Sequence, residues 1–390
     1  MVSRAHRSPV SEWWWTIDRG LLVALMALIG VGMIVSFAAS PAVAERIGLD
    51  PFYFTRRHAV FAVLSVFVMI AVSYCTPRMV RRVALVMLFF SLVAMMLTLA
   101  IGMEVKGSRR WISVAGFSLQ PSEFMKPAFV VICAWLFAQG SKGREIPGNL
   151  FASVLMVLVA VLLLAQPDLG QTVLTLAVWG LMFFVGGMPW LWVIALGVLA
   201  LGGIAGAYAL FPHVAGRIDR FITGEGDNFQ VDTATEAIVS GGWLGKGPGE
   251  GTVKAVLPDS HTDVVFAVVA EEFGIVVCMA LVLMFAFIVM RGLVRSFTER
   301  DAFTRLAVSG LVMMIGFQAL INIGVNLRLL PAKGMTLPFV SSGGSSMLAV
   351  AIGMGMLLAL TRTRPDHRTR RYAFDEAPRP LSFDGLDAAR

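Results

Sequence analysis

One short segment of the chain carries more ionisable side chains than its apolar surroundings explain. The segment Leu257–Glu272 places His261 and Asp263 at the mouth of a hydrophobic run, and Glu271 and Glu272 inside it. Ionisable groups at membrane depth are costly to bury, and such groups therefore indicate a functional site. The segment also closes the longest polar stretch between hydrophobic runs, where a membrane protein has room to build a site.

Two further polar groups lie between apolar runs nearer the N-terminus. Arg109 and Arg110 precede Glu123 and Lys126, which are three residues apart and therefore share one face of a predicted helix. An interfacial loop followed by an internal ion pair is the alternative interpretation, although Lys126 lies a full turn into an apolar helix. Asp168 lies in a tight Pro- and Gly-containing turn, where it could cap the next helix or line a site.

A third polar group lies near the C-terminal end of the apolar region. Gln318, Asn322 and Asn326 recur every four residues and form one polar stripe on a predicted helix, a pattern typical of hydrogen bonding between helices. Lys333 and a Ser- and Gly-rich segment around Ser341 follow. The backbone amides of this segment could hold an anion, or its small residues could simply allow close packing.

The composition indicates an integral membrane protein. Of the 390 residues, 57% are hydrophobic and 15% are charged, which is more apolar surface than a soluble domain can bury. The net charge of +7 does not indicate nucleic-acid binding, because the basic residues concentrate in short loops and the tail. The three cysteines lie far apart and the five histidines lack zinc-ligand spacing, so neither disulfides nor a metal site is expected.

The apolar runs predict an all-α polytopic protein with ten transmembrane helices. Continuous runs of this length fit helices that cross a hydrocarbon core of about 30 Å, whereas a membrane barrel has short alternating strands. The predicted spans are 20–39, 58–75, 81–102, 122–139, 150–166, 170–186, 190–210, 263–290, 304–323 and 343–361.

The distribution of positive charge predicts the topology. Basic residues gather in the segment 1–19, in alternate loops and in the tail 362–390, so both termini are expected in the cytoplasm. The tail is expected to be disordered, and 20–361 to form one transmembrane catalytic domain. The large loop 211–262, between helices seven and eight, then faces outward. Its apolar stretch Thr233–Val239 predicts a short interfacial helix.

On this topology the polar groups share the outer side of the membrane. Together they describe a cavity with cationic walls and a carboxylate near its centre. Such a cavity suits an anionic, lipid-linked substrate that enters sideways from the bilayer.

Five motifs at these residues resemble, in order, the signature of the SEDS family, the peptidoglycan polymerases of shape, elongation, division and sporulation. The resemblance covers residues 15–361 and is stronger to the division members than to the elongation members. One position departs from the family pattern, because Ser342 stands where the family usually has tyrosine. The motifs are Lys106–Trp111, Gln120–Lys126, Gln166–Gly170, His261–Asp263 and Lys333–Ser346.

The resemblance implies a SEDS-type bundle and glycosyl transfer on lipid II, the undecaprenyl-pyrophosphate-linked disaccharide-pentapeptide. A sugar hydroxyl attacks an anomeric carbon, which requires a base, and the polyprenyl diphosphate leaves, which requires positive charge or oriented donors. By motif position Asp263 is the family's essential carboxylate and is therefore expected to be the base, with His261 orienting it.

The other motif residues are expected to bind the substrate or support the site. Arg109, Arg110 and Lys126 are the candidates for the diphosphate, with Lys333 a weaker one. Further substrate-binding candidates are Glu123, Asp168 and Ser341, and the supporting residues are Glu271, Glu272, Gln318 and Asn322.

The resemblance also implies partners and a location. A class B penicillin-binding transpeptidase of the divisome and other divisome membrane proteins are the expected partners, beside membrane lipid and lipid II. The expected location is the bacterial inner membrane at the division septum. No cofactor is expected, and the sequence leaves open whether Mg²⁺ or Mn²⁺ assists.

Three alternative functions compete with septal polymerisation. A lipid II flippase would use the same helices, cavity and carboxylates, but it needs a polar lining accessible from both faces. The charged residues of this chain collect on one face, which favours the polymerase. An inert scaffold would leave the polar cluster without a purpose, and a polymerase of cell elongation would share the chemistry.

Overall fold

The computed structural model describes residues 8–363 apart from a few internal positions, namely 106–107, 115–116, 142–146, 188–189, 211–214, 217–218, 220–222, 224–228, 258–259 and 332–333. Two compact units are distinguished. The larger unit, residues 19–361, is a helical bundle. The smaller unit contains helix α1 (Pro9–Thr16), and the carbonyl of Thr16 accepts a hydrogen bond from the Thr363 amide at 2.9 Å. The predicted disordered tail falls almost entirely outside the described residues.

Apolar helices make up most of the bundle, in agreement with the predicted all-α class. The helices are α2 (Arg19–Arg46), α3 (Tyr53–Ser73), α4 (Pro77–Ile101), α5 (Pro121–Gly140), α6 (Gly148–Ala165), α7 (Leu169–Val185), α8 (Trp190–Leu210), α9 (Phe229–Gly241), α10 (Val265–Thr298), α11 (Ala302–Asn326) and α12 (Gly344–Leu360).

Seven of the described helices are long and apolar enough to cross a membrane, namely α2, α3, α4, α5, α6, α10 and α11. The helices α7 and α12 are apolar but shorter, and α8 is an apolar helix of 21 residues. These ten helices coincide with the ten predicted spans, most of them within a few residues. The multi-pass membrane class is thus confirmed, while the count of ten spans stays a prediction.

A small antiparallel sheet lies between α4 and α5, where the sequence predicted only a loop. It consists of β1 (Met103–Val105), β2 (Ser108–Val114) and β3 (Phe117–Leu119), in the order β1-β2-β3. Two of its strands have only three residues, which is too short for an alternating pattern to be recognised. The sheet places Arg109 and Arg110 at successive positions of one strand, and their side chains therefore point to opposite faces.

Helix α10 is interrupted, which the continuous predicted span 263–290 did not include. At Gly274 the backbone has φ 79° and ψ 175°. The amide of Ile275 donates to the carbonyl of Gly242 at 3.0 Å, and the amide of Lys246 donates to the carbonyl of Glu271 at 2.9 Å. The connection between α9 and α10 thus satisfies the backbone groups that the break releases, as buried backbone groups require.

The part of the 211–262 loop from Phe229 to Leu257 packs against the bundle. Helix α9 confirms the short helix predicted at Thr233–Val239. Small apolar residues of α2, α9 and α10 pack with Leu257, which is fully buried. This apolar layer fixes the chain that leads into Asp263.

We expect Gly274→Ala to destabilise the bundle. A Cβ at this position would collide with the backbone of Trp243 and Gly245, and the positive φ is unfavourable for alanine. The free energy of unfolding should fall by about 2 kcal/mol or more, measured by denaturation of the purified protein in detergent.

Gly180→Ala in α7 is the matched control, because a Cβ there meets open space. It should change stability by about 1 kcal/mol or less. Equal losses from the two variants would contradict the assigned geometry of α10.

Candidate active site

Asp263 lies in a turn two residues before α10, and its backbone is held by α11. The side-chain amide of Asn322 donates to the carbonyl oxygen of Asp263 at 2.8 Å, and that of Asn326 donates to the same oxygen at 3.3 Å. Both asparagines are buried. The polar stripe predicted from the sequence makes one of the expected interhelical hydrogen bonds, between Gln318 and Lys126. Its two asparagines bond instead to the turn that carries the candidate base.

The same stripe holds the segment that connects α11 to α12. The Asn322 amide also donates to the carbonyl of Met335 at 2.6 Å, and the Gln318 amide donates to the carbonyl of Thr336 at 3.0 Å. A side-chain amide has two N–H donors. Asn322 uses them for both irregular segments and thereby holds the two side by side. A Cβ built on Gly334 would lie 3.1 Å from Asp263 Oδ2, so this segment passes directly beside the carboxylate. Lys333 lies outside the described residues.

Two serines close the contact between these irregular segments. Ser341 is buried, and its hydroxyl donates to the carbonyl of Thr262 at 2.5 Å and accepts from the Leu337 amide at 2.8 Å. The amide of Ser342 donates to the carbonyl of His261 at 2.8 Å. Ser341 therefore contacts the backbone next to Asp263, a positioning role that its motif alone did not reveal.

Glu123 and Lys126 form a buried ion pair in the first turns of α5. The Lys126 Nζ lies 2.9 Å from Glu123 Oε2, and both side chains are less than 5% exposed. Lys126 also donates to Gln318 Oε1 at 3.2 Å, and Gln171 donates to Glu123 Oε1 at 2.7 Å. The predicted pairing at three-residue spacing is present, and it links α5, α7 and α11 through polar contacts.

Asp168 both caps α7 and pairs with Arg110. Its Oδ1 accepts from the backbone amide of Gln171 at 3.4 Å, and its Oδ2 lies 3.3 Å from Arg110 Nη1. Arg110 is further held by the Ser108 hydroxyl at 2.9 Å. Burial raises the pKa of the Asp168 carboxyl, and the positive charge of Arg110 opposes that rise. Both roles considered for Asp168, capping and lining a polar site, are compatible with this arrangement.

Arg109 occupies a different environment from Arg110. It pairs with Glu104 on the neighbouring strand at 3.3 Å, and both side chains are more than half exposed. The opposite faces of β2 explain the difference, since one arginine points into the polar network and the other points to solvent.

Glu271 and Glu272 hold the α9–α10 connection and not Asp263. Both carboxylates are buried. Glu271 accepts from the backbone amides of Val253 and Lys254, each at 2.8 Å, while Glu272 pairs with the Lys254 ammonium. That ammonium also donates to the carbonyl of Ala38 in α2 at 3.0 Å. The pair thus anchors two lysines and four loop amides, those of Gly249, Gly251, Val253 and Lys254. Its supporting role at the candidate site stays a prediction.

A cavity of about 320 Å³ lies beside the turn that carries Asp263. His261 and Thr262 line it, and the His261 ring lies 4.5 Å from the ring of Phe54 in α3. The small Ser342 also lines this cavity, at the position where the resemblance led us to expect tyrosine. Asp263 is not itself among the lining residues, but it directly follows Thr262, which is. A carboxylate on this turn can take a proton from a hydroxyl group bound nearby.

Several lining residues were not identified from the sequence. Arg57 and His58 at the start of α3, and Trp111 of β2, face the cavity with residues of the α12 N-terminus. The sequence feature that could have identified Arg57 and His58 is the run of two arginines and a histidine at the start of the predicted span 58–75. The described residues contain no group of three His, Cys, Asp or Glu side chains placed as metal ligands.

The fold and the site define a polytopic membrane protein in which a buried polar network holds the backbone of an aspartate on a turn that lines a cavity. The chain belongs to the FtsW/RodA/SpoVE family of cell cycle proteins, whose profile matches residues 19–365. The resemblance to the SEDS family is thereby confirmed.

Named relatives and solved structures agree with this membership. The probable peptidoglycan glycosyltransferase FtsW of Caulobacter vibrioides is 47% identical, with 93% of this chain and 94% of the relative covered. Stage V sporulation protein E of Bacillus subtilis is 32% identical, with 88% and 97% covered.

Among solved structures, one similar chain belongs to a peptidoglycan synthase complex that coordinates polymerisation and crosslinking. It superposes with a TM-score of 0.74 at 27% identity, with 88% of this chain and 97% of that chain covered. The rod shape determining protein RodA of Thermus thermophilus gives 0.66 at 25% identity, with 90% and 99% covered.

We expect Lys126→Met to destabilise the protein strongly, because it leaves Glu123 buried without its cation. Breaking a buried pair from one side costs about 3–5 kcal/mol, whereas breaking an exposed pair costs about 0–1 kcal/mol. Arg109→Met, which breaks the exposed pair with Glu104, is the matched control. Denaturation of both variants in detergent compares these losses.

The double variant Lys126→Met with Glu123→Leu should recover part of the lost stability, because no uncompensated charge remains. If Lys126→Met were no more harmful than Arg109→Met, the buried pair would not have the assigned environment.

Proposed function

We propose that this chain is a peptidoglycan glycosyltransferase that polymerises lipid II during septal cell-wall synthesis, with Asp263 as general base. The observation that carries the proposal is the backbone of Asp263, which α11 fixes beside a cavity lined by aromatic and polar residues. The names of the FtsW relatives support polymerisation and the role in division.

In the proposed reaction, a hydroxyl of one lipid-linked sugar attacks the anomeric carbon of another. Asp263 accepts the proton of the attacking hydroxyl, a new glycosidic C–O bond forms, and the C–O bond to the diphosphate breaks. Undecaprenyl diphosphate leaves with the bonding electron pair. A single displacement of this kind would invert the anomeric centre. His261 lies two residues before Asp263 on the same turn and lines the cavity. In the proposed reaction it orients the base or the bound sugar.

The predicted cations divide into two groups by their burial. Lys126 is neutralised by Glu123 inside the protein, so we assign it to positioning the α5–α11 contact. Arg109 is exposed, and Arg110 is partly exposed and held by Asp168; both stay candidates for the diphosphate, as does Lys333.

We propose the partners and the location on the same basis. The resemblance of this fold to a chain of a peptidoglycan synthase complex supports a class B penicillin-binding transpeptidase as partner, with other divisome membrane proteins. The proposed location is the inner membrane at the septum, with both termini in the cytoplasm. An assisting Mg²⁺ or Mn²⁺ ion is testable by adding a chelator to the assay.

We expect Asp263→Asn to abolish glycan polymerisation, because the amide cannot accept the proton of the attacking hydroxyl. Loss of a general base lowers the rate by about 100-fold or more. The assay supplies lipid II to the purified chain with its transpeptidase partner and measures glycan length on a gel. Asp232→Asn is the control, since Asp232 lies on the exposed surface of α9 in a pair with Arg328.

Unimpaired polymerisation by Asp263→Asn would refute the assignment. The competing flippase is tested with the same variant in vesicles. A flippase that needs Asp263 would lose lipid II transport in this variant, whereas a polymerase would lose only the glycan product.

A further inference from the structure

The N-terminus of α12 opens onto the cavity without a capping side chain. Its cap residue is Gly343, which has no side chain to bond the first turn. Gly343, Gly344 and Ser345 all line the cavity. Backbone amides at the start of a 17-residue helix lack intrahelical partners and carry a partial positive charge. They favour an anion in that space.

The positions of the two glycines keep the helix terminus close to its neighbours. A Cβ on Gly344 would lie 2.6 Å from the ring of Phe61. A Cβ on Gly343 would lie 3.4 Å from Thr336 and 3.5 Å from Ser346, which are themselves joined by a hydroxyl–hydroxyl hydrogen bond at 2.7 Å. Glycine at Gly344 therefore allows the first-turn amides to approach α3.

A buried histidine provides a second and independent sign of a ligand. His58 of α3 is only 3% exposed and lines the same cavity. Its Nδ1 lies 3.4 Å from the hydroxyl of Ser342, while Nε2 has no hydrogen-bond partner in the described part of the chain. An unsatisfied buried polar atom is costly to the fold, so it points to a group that is bound during function.

The hydroxyl of Ser342 allows a neutral His58 to donate a hydrogen bond to an anion. If this hydroxyl donates to Nδ1, the ring proton resides on Nε2, which is then a donor towards the cavity. The larger tyrosine expected from the resemblance would occupy the space that Ser342 leaves beside His58.

The remaining walls match a charged group attached to an apolar or sugar moiety. Arg57 lines the cavity next to His58 and supplies a full positive charge, and Phe54, Phe61 and Trp111 supply aromatic surface. A volume of about 320 Å³ exceeds what a diphosphate alone fills. The cavity therefore has room for the diphosphate and for the first atoms on either side of it.

We infer that the α12 N-terminus, His58 and Arg57 form a binding subsite for the diphosphate of a polyprenyl diphosphate, the leaving group of the proposed reaction. The inference rests on the proposed function. The residues that carry these amides, the imidazole and the guanidinium all line one cavity. Oriented donors of this kind stabilise the negative charge that develops as the anomeric C–O bond breaks.

The test is a binding measurement that needs no turnover. Radiolabelled undecaprenyl diphosphate is bound to the purified full chain in nanodiscs, with undecaprenol and inorganic pyrophosphate as competitors. We expect Arg57→Gln to weaken binding about tenfold. We expect His58→Leu to weaken it as well, and His58→Gln, which keeps a neutral donor, to restore most of it. Undecaprenol should compete poorly in every variant.

Arg56→Gln is the matched control, because Arg56 is the neighbouring basic residue, is exposed and pairs with Asp50. It should bind undecaprenyl diphosphate within about twofold of the unaltered chain. The denaturation midpoint of each variant shows whether it is folded, and Arg57→Gln alters an exposed side chain that a folded protein tolerates.

Equal affinities of Arg57→Gln and Arg56→Gln, or equal competition by undecaprenol, would overturn the inference. Equal competition by inorganic pyrophosphate would mean that free diphosphate, and not a lipid, is the ligand. Failure of the proposed function is distinguishable, since a chain that binds undecaprenyl diphosphate through Arg57 but forms no glycan would keep the subsite and lose the polymerase.

Discussion

The structure depends on satisfying the backbone carbonyls of irregular segments inside a membrane protein. Such carbonyls cannot be left to lipid, and each unpaired group is costly. Here the side-chain amides of Gln318, Asn322 and Asn326 supply the donors, and they do so for the turn of Asp263 and for the segment that leads to α12. A single helical stripe therefore determines where the candidate base lies relative to the cavity.

A second polar assembly performs a different task with the same residue types. Glu271 and Glu272 are fully buried. Their partners include Lys254 and backbone amides of the α9–α10 connection. At the break in α10 near Gly274, the backbone of this connection forms hydrogen bonds with the backbone of the helix. Carboxylates that the sequence placed in one group thus divide into one beside the cavity and two that support the loop.

The sequence predicted those features that depend on local periodicity. Span positions followed from apolar runs, the Glu123–Lys126 pair from three-residue spacing, and the α11 stripe from four-residue spacing, because each pattern lies within one helix. The break at Gly274 could not be predicted, since its positive φ is accommodated by a distant loop. The position of Arg57 and His58 at the cavity was missed because it arises only when α3 packs against α12, a contact without a local pattern.

The central claim is that α11 places Asp263 for chemistry by holding its backbone. The most direct test is the single-turnover rate of glycan formation by Asn322→Leu at saturating lipid II, with Thr175→Val as a control that removes a buried hydroxyl bonded within its own helix. The account predicts a fall of about tenfold or more for Asn322→Leu. The buried Met335 carbonyl loses its donor, which costs about 1–3 kcal/mol, and the Asp263 carbonyl keeps only the longer bond from Asn326. Lipid II affinity should be unchanged, and Thr175→Val should retain its rate. A folded Asn322→Leu protein that polymerises at the normal rate would contradict the account.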